Sequence, residues 1–106
     1  LIIGQDGIGT PTANLYLNDG KGVFDLAFGM PFEGVEGGTA TFVDVNGDGS
    51  QDVFLTGRDK TLSRVSKLYM NNGVGIYSEA IGTSFVGVDR SSVAFADLNG
   101  DTFQDL

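Results

Sequence analysis

Residues 1–53 lie over residues 54–106 without a gap, and about nineteen of the paired positions are identical, against roughly three or four for unrelated sequence at average residue usage. The matches run in order: Gly4 on Gly57, Leu15-Tyr16 on Leu68-Tyr69, Asn18 on Asn71, Gly20 on Gly73, Gly22 on Gly75, Phe32 on Phe85 and Phe42 on Phe95, with an acidic loop last in each copy. A chain built this way folds as one small unit made twice. Each unit carries four short β-type runs bounded by turn residues, near Thr39–Val43, Val53–Thr56, Lys67–Met70 and Gly75–Ala80 in the best-defined case. The stretch Asn71-Asn72-Gly73-Val74-Gly75, like Asn18-Asp19-Gly20-Lys21-Gly22, supplies the Asn and Gly that tolerate positive φ, so it reads as the hairpin between third and fourth strands.

A four-stranded meander repeating at this period is the pattern of a β-propeller, in which each sheet buries both faces against its neighbours. The expected fold class is all-β, with four-stranded antiparallel blades and two blades per chain. The expected units are 1–53, holding strands two to four of one blade plus the inner strand and acidic loop of the next, and 54–106 in the same phase. Leu1-Ile2-Ile3-Gly4 aligns with Phe54-Leu55-Thr56-Gly57, so it reads as a second strand lacking its inner neighbour. Gln104-Asp105-Leu106 followed by Leu1-Ile2-Ile3 reproduces Gln51-Asp52-Val53 followed by Phe54-Leu55-Thr56. Propellers close with about four to eight blades, so two readings stand: a homo-oligomeric ring with strands exchanged between chains, of three copies (six blades) or four (eight), or a fragment cut from a longer propeller. The start at Leu1 without Met is expected of a mature segment or a fragment.

Composition narrows the chemistry. There is no Cys and no His, which removes disulfides, thiol and imidazole catalysis, and the usual zinc ligands. Fourteen acidic residues against six basic ones give a net charge of −8, which repels nucleic-acid phosphates and suits hard cations. No apolar run reaches the roughly 20 residues that span a bilayer, so neither nucleic-acid binding nor membrane insertion is expected. The first unit carries about −7 of the charge and the second about −1, because Arg58, Lys60, Arg64, Lys67 and Arg90 all lie in the second.

The most specific motif is Asp44-Val45-Asn46-Gly47-Asp48-Gly49-Ser50-Gln51-Asp52, repeated as Asp97-Leu98-Asn99-Gly100-Asp101-Thr102-Phe103-Gln104-Asp105. Oxygen-bearing side chains recur at positions 1, 3, 5 and 9, with a backbone carbonyl available at position 7. Alternate residues of a curled loop can point inward, and carboxylates so gathered repel one another unless a cation joins them. Calcium, which accepts six to eight oxygens, suits such a set better than the smaller octahedral Mg²⁺. An EF-hand shares the opening of the motif but needs a bidentate Glu at position 12 and flanking helices; position 12 is Leu55, and Thr41-Phe42-Val43 and Val53-Phe54-Leu55 are strand-like. A dockerin-type loop fails on the same flanks. Plain hairpin turns would explain the glycines, yet not three Asp at the same offsets in both copies. Thr102 stands where the first loop has Gly49, and a β-branched residue is strained there if positive φ is required.

Ser92-Val93-Ala94-Phe95-Ala96-Asp97-Leu98-Asn99-Gly100-Asp101, the loop ending at Asp105-Leu106, and the later Leu-Tyr, Asn-Asn-Gly and Gly-x-Tyr/Phe elements resemble the FG-GAP/VCBS repeat family. The likeness covers nearly the whole chain twice. It implies integrin-like or lectin-like propeller blades with Ca²⁺ between first and second strands. The ligands it implies are Asp44, Asn46, Asp48, Ser50 through its carbonyl and Asp52, then Asp97, Asn99, Asp101, Phe103 through its carbonyl and Asp105. It also implies an extracellular or cell-surface setting. Thr102, and the lack of a clear Gly-Ala-Pro after the second strand, depart from the family pattern.

Three functions follow as expectations. The first is a calcium-stabilised, self-assembling binding scaffold, with a glycan as leading ligand class and Gln5–Asn14 and Arg58–Ser66, expected to be the longest loops, as candidate ligand loops. The second is a fragment or accessory domain of a larger secreted propeller enzyme or adhesin; Glu33 and Glu36 are the only close Glu pair, and a solvated role suits them better than catalysis. The third is a purely structural, self-assembling propeller. No catalytic residues are expected. Tyr16, Tyr69, Phe24, Tyr77, Phe32 and Phe85, at repeat-matched positions, read as blade core rather than sugar platforms.

Overall fold

The computed structural model describes residues 1–106. The chain is all-β, every sheet is antiparallel and no helix forms, so no helix is long and apolar enough to cross a membrane. Strands β1 (Ile2–Gln5) and β2 (Pro11–Asn14) pair, β3 (Tyr16–Asn18) and β4 (Phe24–Leu26) pair, and β5 (Ala40–Val43), β6 (Asp52–Arg58), β7 (Arg64–Asn71) and β8 (Tyr77–Glu79) form one four-stranded meander.

The duplication holds down to register. Ile2 faces Asn14 and Gly4 faces Thr12, as Leu55 faces Lys67 and Gly57 faces Val65, each 53 residues on. Tyr16 faces Leu26 as Tyr69 faces Glu79. Together β1–β4 therefore match strands two to four of the unit that β5–β8 form in full, a half-blade and a blade of the expected repeat. The hairpins repeat too. Asn18 Oδ1 accepts the N–H groups of Gly20 and Gly22, and Asn71 Oδ1 those of Gly73 and Gly75. These side chains satisfy loop amides that no strand can reach.

Strand β6 explains why the meander needs neighbours: it is buried from Asp52 to Gly57, as a strand covered on both faces must be. On one side Val53 and Leu55 join Tyr69, Leu15, Phe32 and Val35 in the main core, against which Leu1, Ile3 and Ala13 of the first half-blade also pack. Phe32 meets Tyr69 edge-on at 5.1 Å and Tyr77 at the same distance. On the other side Phe54 meets Phe85 and Phe95 edge-on at 4.9 and 5.8 Å, a geometry aromatic pairs favour. The connections lie close on the sheets: a Cβ on Gly34 would stand 2.3 Å from the Pro11 carbonyl oxygen, and one on Gly87 2.1 Å from that of Arg64.

Three expectations need correction. Gln5–Asn14 and Arg58–Ser66 are not the longest loops, because β2 begins at Pro11 and β7 at Arg64. The residues left between are short turns organised by Asp6 and Asp59, whose Oδ1 atoms accept N–H from Ile8 and Thr10, and from Thr61 and Ser63. The inner strand expected of the second unit ahead of its acidic loop is reduced to one bridge, Ala96 with Asp105. Among the aromatics, Phe32 and Tyr69 are buried as expected and Tyr77 is half-buried, whereas Phe24 is 60% exposed, Tyr16 38% and Phe85 36%.

Candidate functional site

Each acidic loop links an inner strand to its second strand. The first leaves β5 at Val43 and re-enters the sheet at Asp52; the second lies between the bridged residues Ala96 and Asp105. Their internal wiring is the same. Asp44 Oδ1 accepts the N–H groups of Gly47 (2.8 Å) and Asp48 (3.1 Å), and Oδ2 that of Gly49 (2.8 Å). Asp97 does likewise with Gly100 (2.6 Å), Asp101 (3.2 Å) and Thr102 (2.9 Å). The carboxamide of Asn46 donates to Asp48 Oδ2 and that of Asn99 to Asp101 Oδ2. Asp48 Oδ1 takes the Ser50 N–H, and Asp101 Oδ1 that of Phe103. The position-1 carboxylate is thus the hub of the curl, and positions 3 and 5 lean on each other.

Turning successive amides inward requires left-handed backbone. Gly49 adopts φ 86° freely, whereas Thr102 is held at φ 76°, where a β-branched residue is strained. The electrostatics follow the amides. The N–H groups of Thr102 and Gly100 hold the Asp97 carboxyl below its usual range; the Ser50 N–H and the Asn46 side chain do the same for Asp48. Hydrogen bonds to the charged form are the cause in both cases.

Asp52 and Asp105 close the neck of each loop, accepting the N–H of Val45 (3.1 Å) and Leu98 (2.8 Å). Asp52 is fully buried, and its other oxygen accepts the Asn71 N–H from β7 at 2.8 Å, so it ties loop to sheet. Among the sequence-derived residues, Asp44, Asn46 and Asp48 form one hydrogen-bonded group and Asp97, Asn99 and Asp101 another; Ser50 and Phe103 enter through their N–H groups. As the side chains stand, no three carboxylates gather as a metal-holding group. The donor set is nonetheless all hard oxygen. A carboxylate offers about four lone-pair sites, and Asp44 uses three for N–H bonds while Asp48 and Asp52 use two each, so acceptor capacity remains on each.

A second polar feature was not legible in the sequence. Arg58 and Arg64 both reach Asp89, leaving its side chain 9% exposed, and their hydrogen bonds, Arg64 first, hold its carboxyl below the usual range. Beside them Glu36, Gly37, Arg58, Asp89 and Arg90 line a charged cleft of about 160 Å³. Tertiary packing alone joins residues from two units here. The Glu pair is also resolved: Glu33 accepts a bond from Lys67, which also reaches Glu79, while the Glu36 backbone bridges to Arg58.

The model of the FG-GAP-like repeat family matches residues 44–106, from the first residue of the first acidic loop through the second loop. A search of curated proteins and a search of solved structures each found no match.

Proposed function

The chain belongs to the FG-GAP-like repeat family, and on that premise we propose that it is a non-catalytic β-propeller module, rigidified by Ca²⁺ at its acidic loops and self-assembling into a ring. The observation that carries this reading is the identical wiring of two loops 53 residues apart, hub Asp, Asn-Asp pair and neck Asp alike. Asp44, Asn46, Asp48, the Ser50 carbonyl and Asp52 would hold one ion, and Asp97, Asn99, Asp101, the Phe103 carbonyl and Asp105 the other. A bound ion would neutralise charge and stiffen the curl; two would bring the net charge from −8 to about −4 by simple addition. Modules outside the cell commonly hold calcium at about 10⁻⁴ to 10⁻³ M, and that setting fits such loops.

Calorimetric titration with Ca²⁺ and with Mg²⁺, paired with thermal unfolding in calcium and in chelator, tests the proposal. The expected result is two calcium sites per chain, with Mg²⁺ weaker. Free calcium at 100 times Kd should stabilise the fold by about 2.7 kcal/mol per site. The same melting temperature in both buffers, with no calcium retained in native mass spectra, would sink it.

For the ligand, the reading favours a glycan. The cleft at Glu36, Arg58, Asp89 and Arg90 offers guanidinium donors and carboxylate acceptors of the kind that pair with sugar hydroxyls. A glycan array run with wild type and Arg90→Ala checks this: binding lost in the variant supports it, and silence from a calcium-loaded ring favours the structural role alone.

A further inference from the structure

Only 12 of the 106 residues are buried, so much apolar surface is bare, and two concave parts of it are lined mainly by apolar side chains. A groove of about 310 Å³ on the Phe54 side of the central blade is lined by Phe54, Thr56, Ser66, Phe85, Val88 and others. A cleft of about 360 Å³ on the first half-blade is lined by Leu1, Ile2, Tyr16 and Phe24.

The 53-residue offset relates each to the core the chain already contains. Moved back one unit, Phe54, Thr56, Ser66, Phe85 and Val88 become Leu1, Ile3, Ala13, Phe32 and Val35, the wall that the first half-blade and its connection present to the central blade. Moved forward one unit, Ile2, Tyr16 and Phe24 become Leu55, Tyr69 and Tyr77, the wall that receives it. Leu55 and Tyr69 are 0% and 1% exposed where Ile2 and Tyr16 are 63% and 38%. The molecule therefore closes one junction internally and leaves bare one wall of each kind.

We propose that a second copy of this chain seats its Ile2, Tyr16 and Phe24 face in the groove at Phe54, Phe85 and Val86. This deepens the propeller reading and rests on it. The internal junction specifies the contacts. Phe32 packs on Tyr69 and Tyr77 at 5.1 Å, so Phe85 packs on Tyr16 and Phe24 of the second copy. The Glu33 N–H donates to Tyr69 Oη at 2.8 Å, so the Val86 N–H donates to Tyr16 of the second copy. Ala40 faces Leu55 in the sheet, so Val93 faces Ile2 of the second copy and gains the partner strand it lacks. The backbone path is already set: Gly87 lies against Arg64 as Gly34 lies against Pro11.

The two walls are different surfaces, so the association is head to tail and propagates around a ring. It also sets the unit of charge −7 against the unit of −1, where a symmetric face-to-face contact of first units would set −7 against −7. Thr56 and Ser66 stand where the internal junction has Ile3 and Ala13, and the Ser66 hydroxyl is buried without a partner. The contact between copies is thus the more polar of the two, and it dissociates on dilution.

Sedimentation velocity and native mass spectrometry of the calcium-loaded chain, from micromolar to submillimolar concentration, test the inference. Wild type should assemble with rising concentration. Phe24→Asp spoils one wall and Phe85→Asp, at the position matching Phe32 of the internal junction, the other; Phe24 is 60% and Phe85 36% exposed, so both variants should stay folded in thermal unfolding and both should stay monomeric. An equimolar mixture of the two should give a 1:1 dimer and nothing larger, because only one intact pair of walls remains. Tyr16→Phe, which removes only the hydroxyl, should weaken assembly without abolishing it. A folded wild type that stays monomeric throughout, a variant that assembles like wild type, or a mixture that stays monomeric would overturn the second copy as occupant and leave the walls to a different repeat. Calcium counted in the same spectra separates the two readings: a monomer that binds calcium sinks self-assembly and leaves the metal reading standing, and an assembly without calcium sinks only the metal reading.

Discussion

The two acidic loops have one wiring and two foundations. Hub, Asn-Asp pair and neck repeat bond for bond, yet Asp52 is completely buried and receives an amide from the third strand of its blade, while the corresponding Asp105 is half-buried and bonds only within its own loop region. The first loop turns on Gly49; the second holds Thr102 at φ 76°. Local sequence is therefore enough to curl the loop, because side-chain oxygens capture the turn amides whatever lies behind them. Anchoring the curl is a tertiary property, supplied where a complete blade stands.

The sharpest way to break the comparison is to remove the neck carboxylate from each loop. Asp52→Ala removes a fully buried carboxylate and strands two half-buried amides, those of Val45 and Asn71, each of which costs about 1–3 kcal/mol when left unsatisfied away from water. Urea unfolding should show a loss of about 3 kcal/mol or more, with loosening of β6 and β7 in hydrogen exchange. Asp105→Ala removes the partner of one amide, that of exposed Leu98, and should cost under about 1 kcal/mol. Equal losses would mean that the anchoring difference is not energetic.

Next in size is the exchange of the turn residues. Thr102→Gly relieves a left-handed β-branched residue, and Gly49→Thr imposes one, where non-glycine residues carry about 1–3 kcal/mol of strain. Thermal unfolding should place Thr102→Gly about 1 kcal/mol above wild type and Gly49→Thr at least as far below it. With calcium, the glycine variant should also tighten the weaker of two sites in titration. If Thr102→Gly leaves both quantities unchanged, the second loop relaxes its φ at no cost.

The strands of the complete blade were legible because alternation, turn residues and the repeat agree: the expected Thr39–Val43, Val53–Thr56, Lys67–Met70 and Gly75–Ala80 are β5 to β8 with shifted ends. The shifts have causes. β6 and β7 extend to Arg58 and Arg64 because their backbones bond to each other beyond the apolar run, and polar, non-identical residues hid that pairing. The acidic loops were legible as motifs, while the burial of Asp52 was not, since it depends on Asn71 nineteen residues away. Asp6 and Asp59 did leave a trace, being identical at the repeat offset, but a single conserved-looking Asp does not reveal which amides it will cap. The Arg58–Asp89–Arg64 group left none, because all three residues lie in the second unit and the first has Gln5, Glu36 and Pro11 at the matching positions, so the repeat does not point to it.

The smallest effect separates the loops by acid. Carboxylates whose folded pKa is depressed add stability above their unfolded value of about 3.9 and lose it as the pH falls through the lower folded value. Asp97, through the Thr102 and Gly100 amides, and Asp48, through the Ser50 amide, belong to this class, as does Asp89 beside Arg64 and Arg58. Stability should therefore be flat from neutrality to about pH 5 and decline below about pH 4, where these groups take up protons that the unfolded chain already holds. Carboxyl chemical shifts followed by pH titration should place the Asp97 midpoint below that of a free aspartate, and Asp97→Asn should soften the acid limb. Salt distinguishes the contributors. Arg64 is 63% exposed, so the attraction it adds to Asp89 is screened at high ionic strength, whereas the short amide bonds inside the loop are not. An acid limb that vanishes entirely in high salt would place its origin in the Arg58–Asp89–Arg64 group and not in the loops.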